Sequence, residues 1–225
     1  MKPILTAVIS VLAGFAALPA NAVTYDANAS FTATSATSGP FTFGSLSGGV
    51  FTAYPTGGTC LFANTTCLTA GDYLGVYQSS DGAAHQSGTA LIPATGLVLH
   101  PGAADQLSVI MFTAPKTAIY TIKLAAYQAD VDARTQTVGL VSGTSTYTVT
   151  TLSPSNPSLS ISGKALLTAG QQVGVFVGND GQYFFDATGV GFSASVPEPA
   201  SWALMITGFG MVGVAARRRT TAVAA

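Results

Sequence analysis

The chain of 225 residues has room for one ordinary domain plus short extensions. Only 8% of its residues are charged, against about 25% in a typical globular domain, and the formal net charge is −1. That balance excludes the basic footprint nucleic acid requires, while abundant Thr, Ser, Gly and Val suit an extracellular β-protein.

Residues 1–22 read as a secretory signal. Lys2 supplies the positive start, Ile4 to Leu18 the apolar segment, and Ala20-Asn21-Ala22 a small-x-small cleavage site. The apolar run is shorter than the roughly twenty residues of a spanning helix, and Pro19 fits a cleavage region. The mature chain is expected to begin at Val23. From there to Ser195 the bases are Lys116, Lys123, Arg134 and Lys164, against eight aspartates, so this part is mildly acidic.

Residues 23–60 carry scattered aromatics: Phe31, Phe41, Phe43, Phe51 and Tyr54. Pro40, Gly48-Gly49 and Gly57-Gly58 punctuate them, which predicts early strands with long turns. Cys60 and Cys67 follow, the only cysteines. In an exported chain they read as a small disulfide-closed loop. Two free thiols are the alternative, and a metal site would want more ligands nearby.

From Leu68 to Phe192 the strand pattern sharpens. Tyr120, Ile122, Leu124 and Ala126 alternate with Thr121, Lys123 and Ala125. Tyr147, Val149 and Thr151 alternate with threonines, and Val173, Val175 and Val177 with Gly174 and Phe176. Period two with β-branched residues predicts half-buried antiparallel strands. Turn signals at Asp81-Gly82, Pro101-Gly102, Pro115, Gly143, Pro154 to Pro157 and Asp180-Gly181 separate many short strands, and no helical stripe appears. The fold class is therefore all-β, an antiparallel β-sandwich or barrel over residues 23–195. Within it Leu68-Thr-Ala-Gly71 leading to Asp81-Gly82 echoes Leu167-Thr-Ala-Gly170 leading to Asp180-Gly181. We read two equivalent hairpins; two independent uses of one turn–strand–turn recipe fit the turn chemistry equally well.

Chemistry is thinly written. His85 lies in a polar loop and His100 at a strand end, and no Gly-x-Ser-x-Gly elbow accompanies them, so a hydrolase triad is a minor reading. Asp130 and Asp132, with Asn179, Asp180 and Asp186, have the oxygen chemistry of a calcium site or of paired glycosidase acids, but a solvated loop with Asx turns is favoured. Sugar recognition would use exposed rings with amide or carboxylate neighbours. The candidates are Tyr77, Tyr127, Tyr183 and Phe184 with Gln128, Asn179 and Asp186, of which Tyr127, Tyr183 and Asp186 are singled out. No catalytic residue, metal or cofactor is assigned. Gly208-Phe-Gly210-Met-Val-Gly213 matches a dinucleotide fingerprint but has no preceding strand and no following acid, so it reads as small residues of a membrane helix.

The C-terminal stretch is the most informative. Pro197 and Pro199 forbid a helix across Val196-Pro197-Glu198-Pro199. Ala200 to Ala216 is an uncharged run at the short limit of a membrane span, and Arg217, Arg218 and Arg219 stop transfer and hold that end, with residues 220–225, in the cytoplasm. A permanent anchor and a removable one look alike on these grounds. The order of proline-glutamate-proline tripeptide, apolar helix and arginine cluster over 196–219 resembles the PEP-CTERM protein-sorting domain. That resemblance implies an exported Gram-negative protein processed by an exosortase. Pro197, Glu198 and Pro199 would be the recognition tripeptide, Ala200–Ala216 a transient inner-membrane helix, and Arg217–Arg219 the stop. It implies association with exopolysaccharide and biofilm material. Leu99-His-Pro-Gly102, Phe112-Thr-Ala-Pro115, Ile119-Tyr-Thr-Ile122 and Tyr183-Phe-Phe-Asp186 resemble ectodomains built like jelly-roll carbohydrate-binding modules, with Gln171 where an acid is usual. The expectation is a non-enzymatic cell-surface or matrix protein, with a carbohydrate-binding module and an exported hydrolase as the alternatives.

Overall fold

A computed structural model describes residues 22–103, 105–132, 134–196 and 207–212. The expected signal helix, the sorting tripeptide and the arginine stop lie outside the described residues. So does the expected membrane helix, apart from residues 207–212, which are helical. Among the described residues no helix is long and apolar enough to cross a membrane.

The strands are β1 (Val23–Asp26), β2 (Thr37–Ser38), β3 (Phe41–Ser47), β4 (Val50–Ala53), β5 (Thr65–Thr69), β6 (Gly75–Ser79), β7 (His85–Ser87), β8 (Ala90–Ile92), β9 (Leu97–His100), β10 (Leu107–Thr113), β11 (Ala118–Gln128), β12 (Gln136–Ser142), β13 (Ser145–Leu152), β14 (Ser158–Leu167), β15 (Gln172–Asn179) and β16 (Thr188–Val196). One short helix, α1 (Ala27–Ser30), follows β1, and the Asp26 carboxylate caps it by accepting from the Ala29 amide at 3.0 Å.

The pairings are antiparallel and build an all-β sandwich. The first sheet runs β14-β11-β16-β9-β6-β5, with β1 on β16; the second runs β13-β12-β15-β10-β3-β2, with β4 on β3. From β9 onward the chain changes sheet at every connection except the β12–β13 hairpin. The interior is the meeting of two apolar faces. Phe41, Phe43, Ile110 and Phe112 of the second sheet face Tyr120, Leu124, Val190 and Phe192 of the first. Phe41 packs on Phe112 at 5.5 Å and across the layers on Phe192 at 5.9 Å, and Phe112 reaches Tyr120 at 5.4 Å. Each such side chain contributes about 1.5–3 kcal/mol over leaving it in water. Both sheets and this whole core lie between Val23 and Val196, so that segment holds what it needs to fold by itself.

Alternation holds where one face meets solvent: on β11, Tyr120, Leu124 and Ala126 are buried while Lys123, Ala125 and Tyr127 are exposed. It fails on β9, where all four residues are buried. Leu97 and Leu99 enter the main core, and Val98 lies on the other face with Ala90 and Ile92 of the β7–β8 hairpin, Phe62, Tyr77 and Cys67. A strand covered on both faces reads as an apolar run.

The internal echo gives one turn with two topologies, which corrects the expectation of equivalent hairpins. Gly71 and Gly170 both adopt positive φ, 96° and 83°. The first turn closes on itself, with the Ala70 amide bonded to Leu74, and joins β5 to its neighbour β6. The second also closes locally, with the Gln171 amide bonded to Thr168, but in addition exchanges bonds with Ala114, Gly170 donating to it and Gln171 accepting from it, and carries the chain from one sheet to the other.

Candidate functional site

Strand register gathers five connections at one end of the sandwich. In the first sheet Thr69 pairs Gly75, Gly75 pairs His100, Leu99 pairs Thr188, and Tyr127 pairs Ser158. In the second, Gln136 pairs both Asn179 and Leu152. The sheets are tied there by buried polar groups: Thr188 Oγ1 donates to Gln136 Oε1 at 2.7 Å, and Gln136 Nε2 donates to the Phe185 carbonyl at 3.2 Å. The described residues of the connections β5–β6, β9–β10, β11–β12, β13–β14 and β15–β16 therefore share this end, where functional residues of sandwiches can be presented on a rigid frame.

Two clefts open among these segments, with Asp130 and Phe185 in the walls of both. The smaller, of about 290 Å³, is aromatic: Phe62, Tyr73, His100, Phe184 and Phe185 line it together with Ser87, Thr89 and Asp130. The larger, of about 1000 Å³, is polar and shallow, with Gln128, Asp132, Arg134, Asp180 and Gln182.

The aromatic cleft is built from constrained pieces. Cys60 and Cys67 are joined by a disulfide with Cα atoms 5.6 Å apart. Their loop presents Phe62 to Tyr77 at 4.6 Å and to Tyr73 at 5.3 Å. Asp72 and Tyr73 sit in the left-handed region at φ 47° and 64°, as does Phe185 at 66°. Side chains there cost about 1–3 kcal/mol each and persist where the surroundings demand them; two of the three are wall residues. Beyond Tyr73 the rings continue through His100 at 5.5 Å to Tyr183 at 6.4 Å, and Tyr183 stacks on Phe184 at 4.3 Å. Tyr73 and Phe184 remain exposed, so the cleft offers ring faces to solvent.

His100 is buried. Its Nδ1–H donates to the Pro101 carbonyl at 2.7 Å, which fixes the neutral tautomer, and burial pulls its pKa down to about 4 against that hydrogen bond. It is an aromatic wall rather than a proton carrier near neutral pH. His85 pairs instead with Asp81, Nε2 to Oδ1 at 2.7 Å. That bond, with donors from Ala83 and Ser79, holds the Asp81 carboxyl down at about 2.

The acids of the 129–135 and 180–187 segments lie in unequal surroundings. Asp130 accepts from Thr89 Oγ1 at 3.1 Å and from the Asp132 amide at 3.0 Å, an Asx turn, while burial pushes its pKa up. Asp186 is fully buried, and neither carboxylate oxygen has a hydrogen-bond partner among the described residues. Burial first, then the charges of Asp130 and Asp180, push it up to about 7, with Arg134 acting the other way. Arg134 itself lies 5.5 Å over the Phe185 ring. Among the described residues no three His, Cys, Asp or Glu side chains gather as metal ligands.

The residues singled out from sequence separate. Tyr183 belongs to the ring chain beside the aromatic cleft, and Asp186 lies enclosed next to its wall residue Phe185. Tyr127 stands apart on the outer face of the first sheet, lying over Gly189, where a Cβ would come within 2.1 Å of the ring. Phe62, Tyr73, Thr89 and Phe185 were not among the candidates. A Phe inside a disulfide loop, and a Tyr just after the Gly71 turn, were the available signals.

Residues 195–219 match the PEP-CTERM protein-sorting motif. The motif implies export, processing by an exosortase-type enzyme, and a membrane-anchored step before the surface. No curated protein matches the chain. Among solved structures it is similar to the Podospora anserina GH26-CBM35 β-(1,4)-mannanase, at 14% identity and TM-score 0.33 over 80% of this chain and 28% of that one. It is also similar to the enzymatically active domain of bacteriophage CBA120 tailspike protein 4, at 10% and 0.31 over 70% and 19%. A third is the Arthrobacter globiformis T6 isomalto-dextranase complexed with panose, at 17% and 0.25 over 69% and 23%. The chain thus spans between about a fifth and just over a quarter of these proteins. Likenesses this remote leave the site to be argued from its own geometry.

Proposed function

With residues 195–219 matching a PEP-CTERM sorting motif, we propose that this chain is an exported, non-enzymatic cell-surface or extracellular-matrix protein whose jelly-roll-like sandwich binds polysaccharide. The observation that carries the binding reading is the aromatic cleft. Exposed faces of Tyr73 and Phe184 flank hydroxyls of Ser87 and Thr89 and the Asp130 carboxylate. A sugar ring presents apolar C–H faces and polar edges, so stacking on rings beside a few fixed polar groups suits it. The disulfide and the left-handed residues preset this shape, which lowers the ordering cost of binding. Export to the surface would bring the cleft to exopolysaccharide, the material it is proposed to hold.

The non-enzymatic part rests on the hydrogen bonds of the two histidines. What supports it is that His100 bonds to the Pro101 carbonyl and His85 to Asp81 and Asn64, with no serine bonded to either ring among the described residues.

Affinity electrophoresis of residues 23–196 through gels containing host exopolysaccharide or defined neutral glycans tests the reading. Retardation is expected, and Tyr73→Ala and Phe184→Ala should each weaken it by about tenfold, in the range of a lost aromatic anchor. Migration unaffected by every glycan, the host's own included, would sink it.

A further inference from the structure

The sandwich is not closed along its β13–β14 side. These are the edge strands of the two sheets, consecutive in the chain, and they do not pair with each other. Between the sheets there a cleft of about 380 Å³ reaches the interior, toward the low end of small-ligand sites. Its walls include Ile122 and Leu124 of β11, Leu140 of β12, Ile161 of β14 and Val173 of β15. All but Leu124 remain half-exposed although they pack against the main core.

The vacancy has a local cause. On β14 the inward residues are Leu159, Ile161, Gly163 and Ala165, and Gly163 pairs with Ile122. A Cβ added at Gly163 would meet nothing within 4 Å. Interiors are normally filled to crystal-like density, so an open apolar space reached from solvent is a place for a ligand. Sugar does not suit it, because hydroxyls entering these walls would lose their hydrogen bonds.

We propose that this cleft takes the hydrocarbon chain of an anionic amphiphile, with Lys164 at the rim meeting the head group. Among the described residues of the lining Lys164 is the sole charged one, and none is an acid. Lys164 is exposed on the edge strand β14 and lines the cleft mouth, so its charge stands in water where a head group would emerge. The site is separate from the aromatic cleft and does not depend on it.

The probe is cis-parinarate, a fluorescent fatty acid, titrated into residues 23–196, with dodecanoate and dodecanol as competitors. Saturable one-to-one binding displaced by dodecanoate is expected. Gly163→Val should fill the cleft and weaken binding by about tenfold or more, while leaving the melting temperature unchanged or raised. Lys164→Gln should weaken dodecanoate several-fold and leave dodecanol alone, an effect of charge. Non-saturable binding, unchanged affinity in Gly163→Val, or equal affinity for dodecanol and dodecanoate in the wild type would overturn the proposal. So would a wild-type dimer that Gly163→Val dissociates in the absence of amphiphile, since the cleft would then serve a second copy of the chain.

Discussion

Replacing Asp186 with Asn tests the electrostatics of the loop end most directly. The side chain is fully enclosed with no donor to its oxygens among the described residues, and Asp130 and Asp180 add like charge. Its pKa rises from 3.8 to about 7. Between those values the folded state holds a proton that the unfolded chain has released, so this group's stabilisation falls as pH rises. The interval spans about three pH units, and at about 1.4 kcal/mol per unit the ceiling is about 4 kcal/mol; water entering the site would lower it. His100 acts oppositely. Its folded pKa of about 4 lies below the ordinary 6.5, so its contribution is lost as pH falls through that interval. In the wild type the two slopes therefore offset each other between about pH 4 and 6.5, and only the Asp186 slope remains up to about 7. The decisive quantity is the difference between Asp186→Asn and wild type, measured by urea unfolding of residues 23–196 at several pH values from 4.5 to 8.5. The variant should gain on the wild type with rising pH, by about 2–3 kcal/mol over this range, and level off above pH 7. A difference independent of pH would refute the reasoning, because Asp186 would then titrate alike in both states.

The remaining expectations are simpler. Cys60→Ser should cost about 2.5 kcal/mol by the loop-closure argument for so short a loop, read as a lowered melting temperature that reductant reproduces in the wild type. Gly189→Ala should destabilise through the Tyr127 ring, and Tyr127→Ala combined with it should cost less than the sum of the two; additive melting shifts would deny the contact. Glu198→Ala, or deletion of Arg217–Arg219, should leave the protein in the inner membrane in its native host. Normal arrival at the surface with unchanged mature mass would count against the sorting reading.

How far the residues alone could be read differs from place to place. The β11 alternation is visible in Tyr120, Leu124 and Lys123 because one face of that strand meets water. The echo at Gly71 and Gly170 shows the limit. Both turns open on Leu-Thr-Ala-Gly with a positive-φ glycine, but only the first continues through left-handed Asp72 and Tyr73, and it ends in a neighbouring strand while the other ends in the opposite sheet. Turn chemistry is local, and the acceptor that decides the outcome, Ala114, is far away in sequence. The aromatic cleft was half legible for a similar reason. Tyr183 and Phe184 stand together in the chain, but Phe62, Tyr73 and His100 join them only through strand register and the β7–β8 hairpin.

What the sequence by itself determined is therefore the address and the class. The sorting motif is a contiguous string, recognised as a string, and the two-residue period of β-branched and aromatic residues forces strands wherever water wets one side. Only the tertiary structure decided which rings meet, that Asp186 is enclosed with no donor among the described residues, and that Gly163 leaves a gap opposite Ile122. Each of these depends on contacts between residues far apart in the chain, and burial, charge coupling and vacancy are properties of such neighbours rather than of any segment.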